Sequence, residues 1–417
     1  MRVLFALRER FIPDITGGGV ADIHHMSLHL GSAGHRPEVY AALRRGRRMV
    51  PLRVRQRLRR GTALTRTDSR NGYPVTRTAA HMMGPLLERR LRSDPPDVVV
   101  FQGTGIAELL EVTLAAGTPG MVRIVTAGGV DELADLARED PRLASRLSDP
   151  RLAVVSNSRF VAARVRERLG LRSPIVYPLI DARDCVAPAR ARRFVTFVNP
   201  VAAKGLSLAL ETARLLPHRE FLFLESWPLA PAEREELERL TAQLANVTVR
   251  RRTWDIASVY AETALLLVPS QCEEAFGRVA VEAALNGVPQ LASRIGGLPE
   301  AVAGGVLLAP DAPARAWAEA AEVILADGTR YRELSARARE QAGGGHLSAA
   351  RVGDSFLELA RELACSGGAA GGERGGAAPE AAEAALEGED PSHDRELGAP
   401  RCEEEDPQRG GVATRPR

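Results

Sequence analysis

At 417 residues the chain exceeds one ordinary core and suits two domains with a remainder, and its 45% hydrophobic content can fill both. The formal net charge of +3 is unevenly spread: from residue 366 onward 12 acids face 6 arginines, so the preceding body carries +9 and suits an anionic ligand or surface. Cys185, Cys272, Cys365 and Cys402 are scattered without metal-ligand or disulfide-framework spacing, no run reaches transmembrane length, and the N-terminus lacks a signal-peptide pattern. A cytoplasmic protein is expected, and the arginine-, alanine- and glycine-rich usage points to a bacterial gene.

In chain order, RVLFAL (2–7) predicts a first strand. DITGGGVADIHHMSLHL follows, where Gly17, Gly18 and Gly19 open a helix and allow its free N–H groups to approach a ligand. His24, His25 and His29 share that helix; without an adjacent HExxH glutamate they read as surface or cleft-edge residues. After the strand RPEVYAAL (36–43) comes RRGRRMVPLRVRQRLRR, with nine arginines from Arg44 to Arg60 and no acid. Such a run is either a solvated face or, because Met49, Val50, Leu52, Val54 and Leu58 interleave, a docking patch for an anionic membrane. It lacks aromatic stacking residues, which argues against nucleic acid.

DVVVFQG (97–103), MVRIVTA (121–127), LAVVSNS (152–158) and SPIVYPLI (173–180) continue the strands, with ELLEVTLAAGTPG among the intervening helices. Ser156, Asn157 and Ser158 read as a cleft loop. A second series opens after DARDCVAPARAR (181–192). Strands RRFVTFVNP, REFLFLES, NVTVRRR, ALLLVPS, VPQLAS and GVLLAP alternate with helices such as LSLALETARLL and ARAWAEAAEVILAD, and Trp254 is expected to be buried. A closing amphipathic helix spans about 347–363. The remainder is rich in Gly, Ala, Pro and Glu and is expected to be disordered.

Two alternating series predict two doubly wound, Rossmann-like α/β domains facing across a cleft, over 1–184 and 185–346, with a closing helix at 347–365 and a low-complexity tail at 366–417. Ligands of such domains bind outside the carboxyl ends of the strands.

Two features there carry chemistry. Lys204 is the sole lysine beside 55 arginines, and a compact ammonium suits a tight phosphate site. In SQCEEAFGRVAVEAALNGVPQLASRIGGLPEAV, a strand ends at Ser270, an acidic pair follows, and a helix is expected from about Phe276 to Asn286. If that stretch is mostly helical, Glu274 and Glu282 stand roughly 12 Å apart along the axis. A carboxylate at each end and a helix N-terminus between them form a clamp for a nucleotide sugar.

EEAFGRVAVEAALNGVPQLASRIGGLPEAV resembles the E-x7-E signature of the retaining group-1 glycosyltransferases of GT-B fold. TGGGVADIHHMSLHLGSAGHRPEVY resembles the family's first loop and helix, VVSNSRFVAARVRERLGLRSPIVYPLID its crossover, and FVNPVAAKGL its donor-phosphate loop. The resemblance implies transfer of a sugar from a nucleoside-diphosphate donor to an unspecified saccharide, lipid or aglycone, without a metal or further cofactor. It implies that Glu274 faces the donor sugar, Glu282 accepts from the ribose, and Lys204 contacts the diphosphate. Backbone N–H groups of Ala275, Phe276 and Gly277 and the Gly18–Gly19 loop would join Lys204. Where the family commonly has an arginine this chain has Asn199, and Arg278 is the candidate replacement cation. Where many members have an acceptor-side histidine it has Thr126 and Ala127. These departures leave open a non-catalytic nucleotide-binding or scaffold subunit; a nucleotide-sugar epimerase of the same fold is the other alternative.

Overall fold

A computed structural model describes residues 1–368 apart from 16, 44–64, 104, 189, 228 and 254. The arginine run at 44–60, Trp254 and nearly all of the tail therefore lie outside the described residues.

The first domain is built on a seven-stranded sheet. Its strands are β1 (Arg2–Ala6), β2 (Arg36–Ala42), β3 (Thr65–Asp68), β4 (Val75–Thr78), β5 (Val98–Gln102), β6 (Gly120–Ile124) and β7 (Leu152–Ser156), in the order β3-β4-β2-β1-β5-β6-β7. All pairs are parallel except the β3–β4 edge. The run SPIVYPLI is not a strand: it makes one isolated bridge, Ser156 to Ile175. Pro174 and Pro178 remove two ladder donors, so the segment runs on as the connection between domains. β3 and β4 had no clear apolar run to reveal them, being mostly Thr, Arg and Asp.

Helices cover both faces. α1 (Gly18–Ser32) packs on one; α2 (Met83–Ser93), α3 (Ala107–Ala115), α4 (Ala127–Glu139), α5 (Pro141–Leu147) and α6 (Arg159–Leu169) pack on the other. Their starts obey local chemistry: the side chains of Thr126, Asp140 and Ser158 accept the first free N–H groups of α4, α5 and α6. Thr126, at the position where many members of the resembled family have a histidine, is thus a helix cap.

After α7 (Ala182–Cys185) the second domain is a six-stranded, all-parallel sheet of order β10-β9-β8-β11-β12-β13. Its strands are β8 (Phe194–Val198), β9 (Glu220–Leu224), β10 (Val247–Arg250), β11 (Thr263–Val268), β12 (Gln290–Ser293) and β13 (Val306–Leu308). Helices α8 (Leu206–Leu215), α9 (Pro231–Thr241), α10 (Ile256–Glu262), α11 (Arg278–Leu285), α12 (Leu298–Ala301), α13 (Ala314–Ala326) and α14 (Gly328–Gly344) connect or cover it. The last helix, α15 (Ala349–Gly368), returns to the first domain: Val352, Phe356, Leu357, Ala360 and Leu363 join the core of β1 and α1, and Phe356 stacks on Phe5 at 6.1 Å between centroids. Its apolar stripe is buried against a domain that the chain left some 160 residues earlier, which ties the two halves together.

Two buried groups fix the first domain to the interdomain connection. The Asp22 carboxylate on α1 pairs with Arg123 of β6 at 2.8 Å, both side chains at most 2% exposed, and accepts the N–H of Leu179 at 2.7 Å.

Candidate functional site

The site lies at the carboxyl ends of β8 and β11, where the second domain faces the first. β8 delivers the chain to Asn199, which adopts a left-handed conformation at φ 61° and accepts the N–H of Ser226 on its Oδ1 at 2.9 Å. That bond engages the amide oxygen and joins the β8 and β9 loops, while the Nδ2 donors take no part in it. A single 3-10 turn, Ala202–Lys204, then ends at Gly205 with φ 87°. A Cβ at Gly205 would stand 1.9 Å from the Pro269 carbonyl, so only glycine lets this turn close onto the end of β11.

That close approach brings Lys204 to Glu274. The ammonium Nζ lies 2.6 Å from Glu274 Oε1, and the Ser270 hydroxyl donates to the same oxygen at 2.7 Å. The Trp227 ring stands 5.9 Å from Nζ on another side. Two residues 70 apart in sequence thus meet.

The helix is shorter than expected. Gly277 takes φ 102°, so α11 starts at Arg278 rather than Phe276, and the stretch from Glu274 to Gly277 is an irregular loop. The axial spacing derived for a continuous helix does not apply to that loop. Its backbone is held by the following loop: the Gly297 N–H donates to the Glu274 carbonyl at 2.7 Å, and a Cβ on Gly297 would be 2.3 Å from the Ala275 carbonyl. Phe276 is buried against Tyr177 of the interdomain connection, at 5.5 Å between centroids, and Ala275 packs against the first domain's core.

Further along α11, Glu282 accepts the Tyr260 hydroxyl at 3.0 Å. Burial, with the neighbouring carboxylate, drives the Tyr260 phenol well above its usual range, which keeps it a neutral donor. Arg278, one turn before Glu282, lies 3.7 Å from its Oε1 and donates to the Leu179 carbonyl at 3.1 Å. The Arg278 side chain also lies where a Cβ of Gly18 would be, at 3.0 Å, so the glycine loop of the first domain meets α11 directly. Gly19 is anchored on the other side by Gln102, whose amide donates to its carbonyl at 2.8 Å. Gly18, Arg278 and Glu282 are therefore gathered in one place, and Lys204 and Glu274 in a second, at the two ends of the 274–282 segment.

His25 sits behind this junction, with Nε2 2.8 Å from Asp184; burial first, then Arg278, lowers its pKa. His24 bonds the Tyr73 hydroxyl at 2.6 Å. Among the described residues no group of three His, Cys, Asp or Glu side chains is arranged to hold a metal ion. Ser156 pairs with Ser173 at 2.6 Å and Ser158 caps α6, so both hydroxyls have structural partners.

Glu300 is the residue that sequence reasoning missed. It was visible in GGLPE but had no assigned part. It reaches across from α12 to the start of α6, accepting the N–H groups of Arg159 at 2.8 Å and Phe160 at 2.9 Å and the Tyr177 hydroxyl at 3.0 Å. A carboxylate at a helix N-terminus is favoured by both hydrogen bonding and the helix dipole. Arg164, one turn into α6, adds an ion pair to Glu273 at 2.8 Å. One helix of the first domain thereby grips both flanks of the Glu274 loop. Glu300→Ala is expected to lower unfolding free energy by about 1–3 kcal/mol, because three donors lose their acceptor at once. Urea denaturation measures it, and a loss within ~0.5 kcal/mol would show that this bridge contributes little.

Residues 192–327 match the family described as Glycosyl transferases group 1. The chain is 41% identical over 111 residues to the D-inositol 3-phosphate glycosyltransferase of Saccharomonospora viridis, covering 26% of this chain and 25% of that protein. The corresponding protein of Nocardia farcinica is 38% identical over 105 residues, 25% of this chain and 23% of its own length. The chain thus matches about a quarter of the length of these curated relatives. Among solved structures, Anabaena HepE in complex with UDP-glucose superposes with a TM-score of 0.67 at 17% identity, covering 86% of this chain and 99% of that one. A glycosyltransferase from Rickettsia africae gives 0.67 at 15% identity, over 87% and 98%. These likenesses bear out the expected GT-B arrangement of two Rossmann-like domains.

Proposed function

We propose, from the match of residues 192–327 to the group-1 glycosyltransferases, that the chain transfers a sugar from a nucleoside-diphosphate sugar with retention of anomeric configuration. The observation that supports this most is the meeting of Lys204 and Glu274 at 2.6 Å, at the end of a segment whose other end holds Glu282 against Tyr260.

In this reading the diphosphate lies against Lys204, the backbone N–H groups of Ala275, Phe276 and Gly277, and the Gly18–Gly19 loop. Glu282, oriented by Tyr260, accepts from the ribose hydroxyls, and Glu274 accepts from hydroxyls of the sugar. As the bond from the anomeric carbon to the phosphate oxygen breaks, negative charge gathers on the departing diphosphate. A fixed ammonium stabilises that charge more in the transition state than in the ground state. The acceptor oxygen bonds to the anomeric carbon on the face the diphosphate leaves, and its proton passes to a phosphate oxygen. Lys204 and the backbone donors replace a divalent cation. Arg278 has its guanidinium on the Leu179 carbonyl and near Glu282, so its first part is to tie α11 to the interdomain connection. The acceptor is assigned to the first domain's strand ends.

The test is release of nucleoside diphosphate from UDP-, GDP- and ADP-sugars, with and without EDTA. Slow release from one donor class, unaffected by EDTA, is expected. Binding without release from any donor would support the non-catalytic subunit instead. A cytoplasmic setting, with Arg44–Arg60 docking on an anionic inner-membrane surface, completes the proposal; no helix among the described residues is long and apolar enough to cross a membrane. Co-sedimentation with anionic vesicles checks the docking.

A further inference from the structure

We propose that the Lys204–Glu274 pair is a selector: it discriminates against the bare nucleoside diphosphate and in favour of the sugar-bearing nucleotide. The inference rests on the donor reading above and adds to it an electrostatic reason for releasing the spent nucleotide.

The pair is tight and partly desolvated, with side chains 19% and 14% exposed. Glu274 Oε1 takes hydrogen bonds from both Lys204 at 2.6 Å and Ser270 at 2.7 Å. A diphosphate entering this site has to draw the ammonium off that oxygen or share it. The carboxylate is then left with the Ser270 hydroxyl alone while new negative charge arrives beside it. In a half-buried setting such like-charge proximity is costly, because water screens it weakly.

The two ligands differ in what they offer in return. A nucleoside diphosphate carries the extra charge of a terminal phosphate and has no hydroxyl beyond that phosphate. A nucleotide sugar has that phosphate esterified, with one ionisable group fewer, and its ring hydroxyls are donors that replace the hydrogen bond Glu274 has lost. The same carboxylate therefore penalises the leaving product more than the entering donor. Its charge also offers a reason for an ion pair that otherwise masks the site's best cation: the masking is lifted only by a ligand that satisfies both partners.

The experiment is calorimetric titration of UDP, GDP and ADP and of their glucose esters into the wild type, Glu274→Gln and Glu282→Gln. For the base that binds, Glu274→Gln is expected to take up the nucleoside diphosphate about tenfold more tightly than the wild type, with the sugar ester unchanged or weaker. The affinity ratio of the two ligands shifts accordingly. Glu282→Gln is expected to weaken both alike, because both ligands carry the ribose, and to leave the ratio where it was. Should the glutamine variant not fold, Glu274→Ala carries the same expectation. An unchanged ratio in the Glu274 variants, or an equal shift in Glu282→Gln, overturns the selector while leaving the donor reading intact. Failure of every nucleotide to bind overturns both.

Discussion

Lys204→Ala is expected to slow sugar transfer by roughly 10²–10³-fold, with some loss of stability because the Glu274 carboxylate keeps only the Ser270 hydroxyl among its described partners. The ammonium is the one formal charge assigned to the departing diphosphate, and its surroundings cannot supply a substitute. Asn199, at the position where an arginine commonly stands, is neutral and has its amide oxygen on Ser226, and Arg278 is engaged by the Leu179 carbonyl and by Glu282. Lys204→Arg is expected to restore little. The 3-10 turn and Gly205 press this loop against Pro269, and a planar guanidinium needs more room than a point charge. Steady-state release of nucleoside diphosphate, read beside the melting temperature, separates loss of chemistry from loss of structure. A Lys204→Ala variant with near wild-type turnover would remove the proposed stabilisation of the leaving group.

Asp22→Ala is expected to cost about 3–5 kcal/mol of stability, because it strands a buried guanidinium. Arg123 is 1% exposed on its side chain and has Asp22 as its ion-pair partner and, among the described residues, one further side-chain contact, to Gln102 at 3.4 Å. The same substitution orphans the Leu179 N–H. Asp22→Leu combined with Arg123→Met removes both charges and should recover most of the loss, apart from that N–H, for which about 1–3 kcal/mol remains. Urea denaturation of the two single variants and the double gives the coupling directly. A single-variant loss below ~1 kcal/mol would mean that the pair is hydrated or rearranges.

Much of the second domain was legible because its central strands β8, β9 and β11 are largely apolar runs bounded by turn residues. All six appear where the runs lie, and so do the helices LSLALETARLL and ARAWAEAAEVILAD. The first domain was harder to read. β3 and β4 are short and polar, and SPIVYPLI has strand-like side chains on a backbone whose prolines forbid a ladder. The α11 start was misplaced by two residues because helical periodicity continues through Gly277, whereas its φ of 102° breaks the hydrogen-bond ladder. For the candidate site, Lys204, Glu274, Glu282 and Gly18 were marked by residue type and spacing. Tyr260 and Ser270, which bond Glu282 and Glu274, carried no local signal that distinguished them from ordinary core or surface residues, and Glu300 was visible in GGLPE without any sign of its partners on α6.

By itself the sequence determined the two alternating α/β series, the apolar runs that become sheets, and the identity of the charged groups at the strand ends. These are properties of nearest neighbours and of period along the chain. Only the tertiary structure decided which charge meets which: that Lys204 faces Glu274 rather than standing free, that Asn199 turns inward, that α15 returns to the first domain, and that Glu300 caps a helix 140 residues away. Such pairings depend on how far loops reach and how closely backbones approach once both cores have formed, and no local pattern in the chain encodes that.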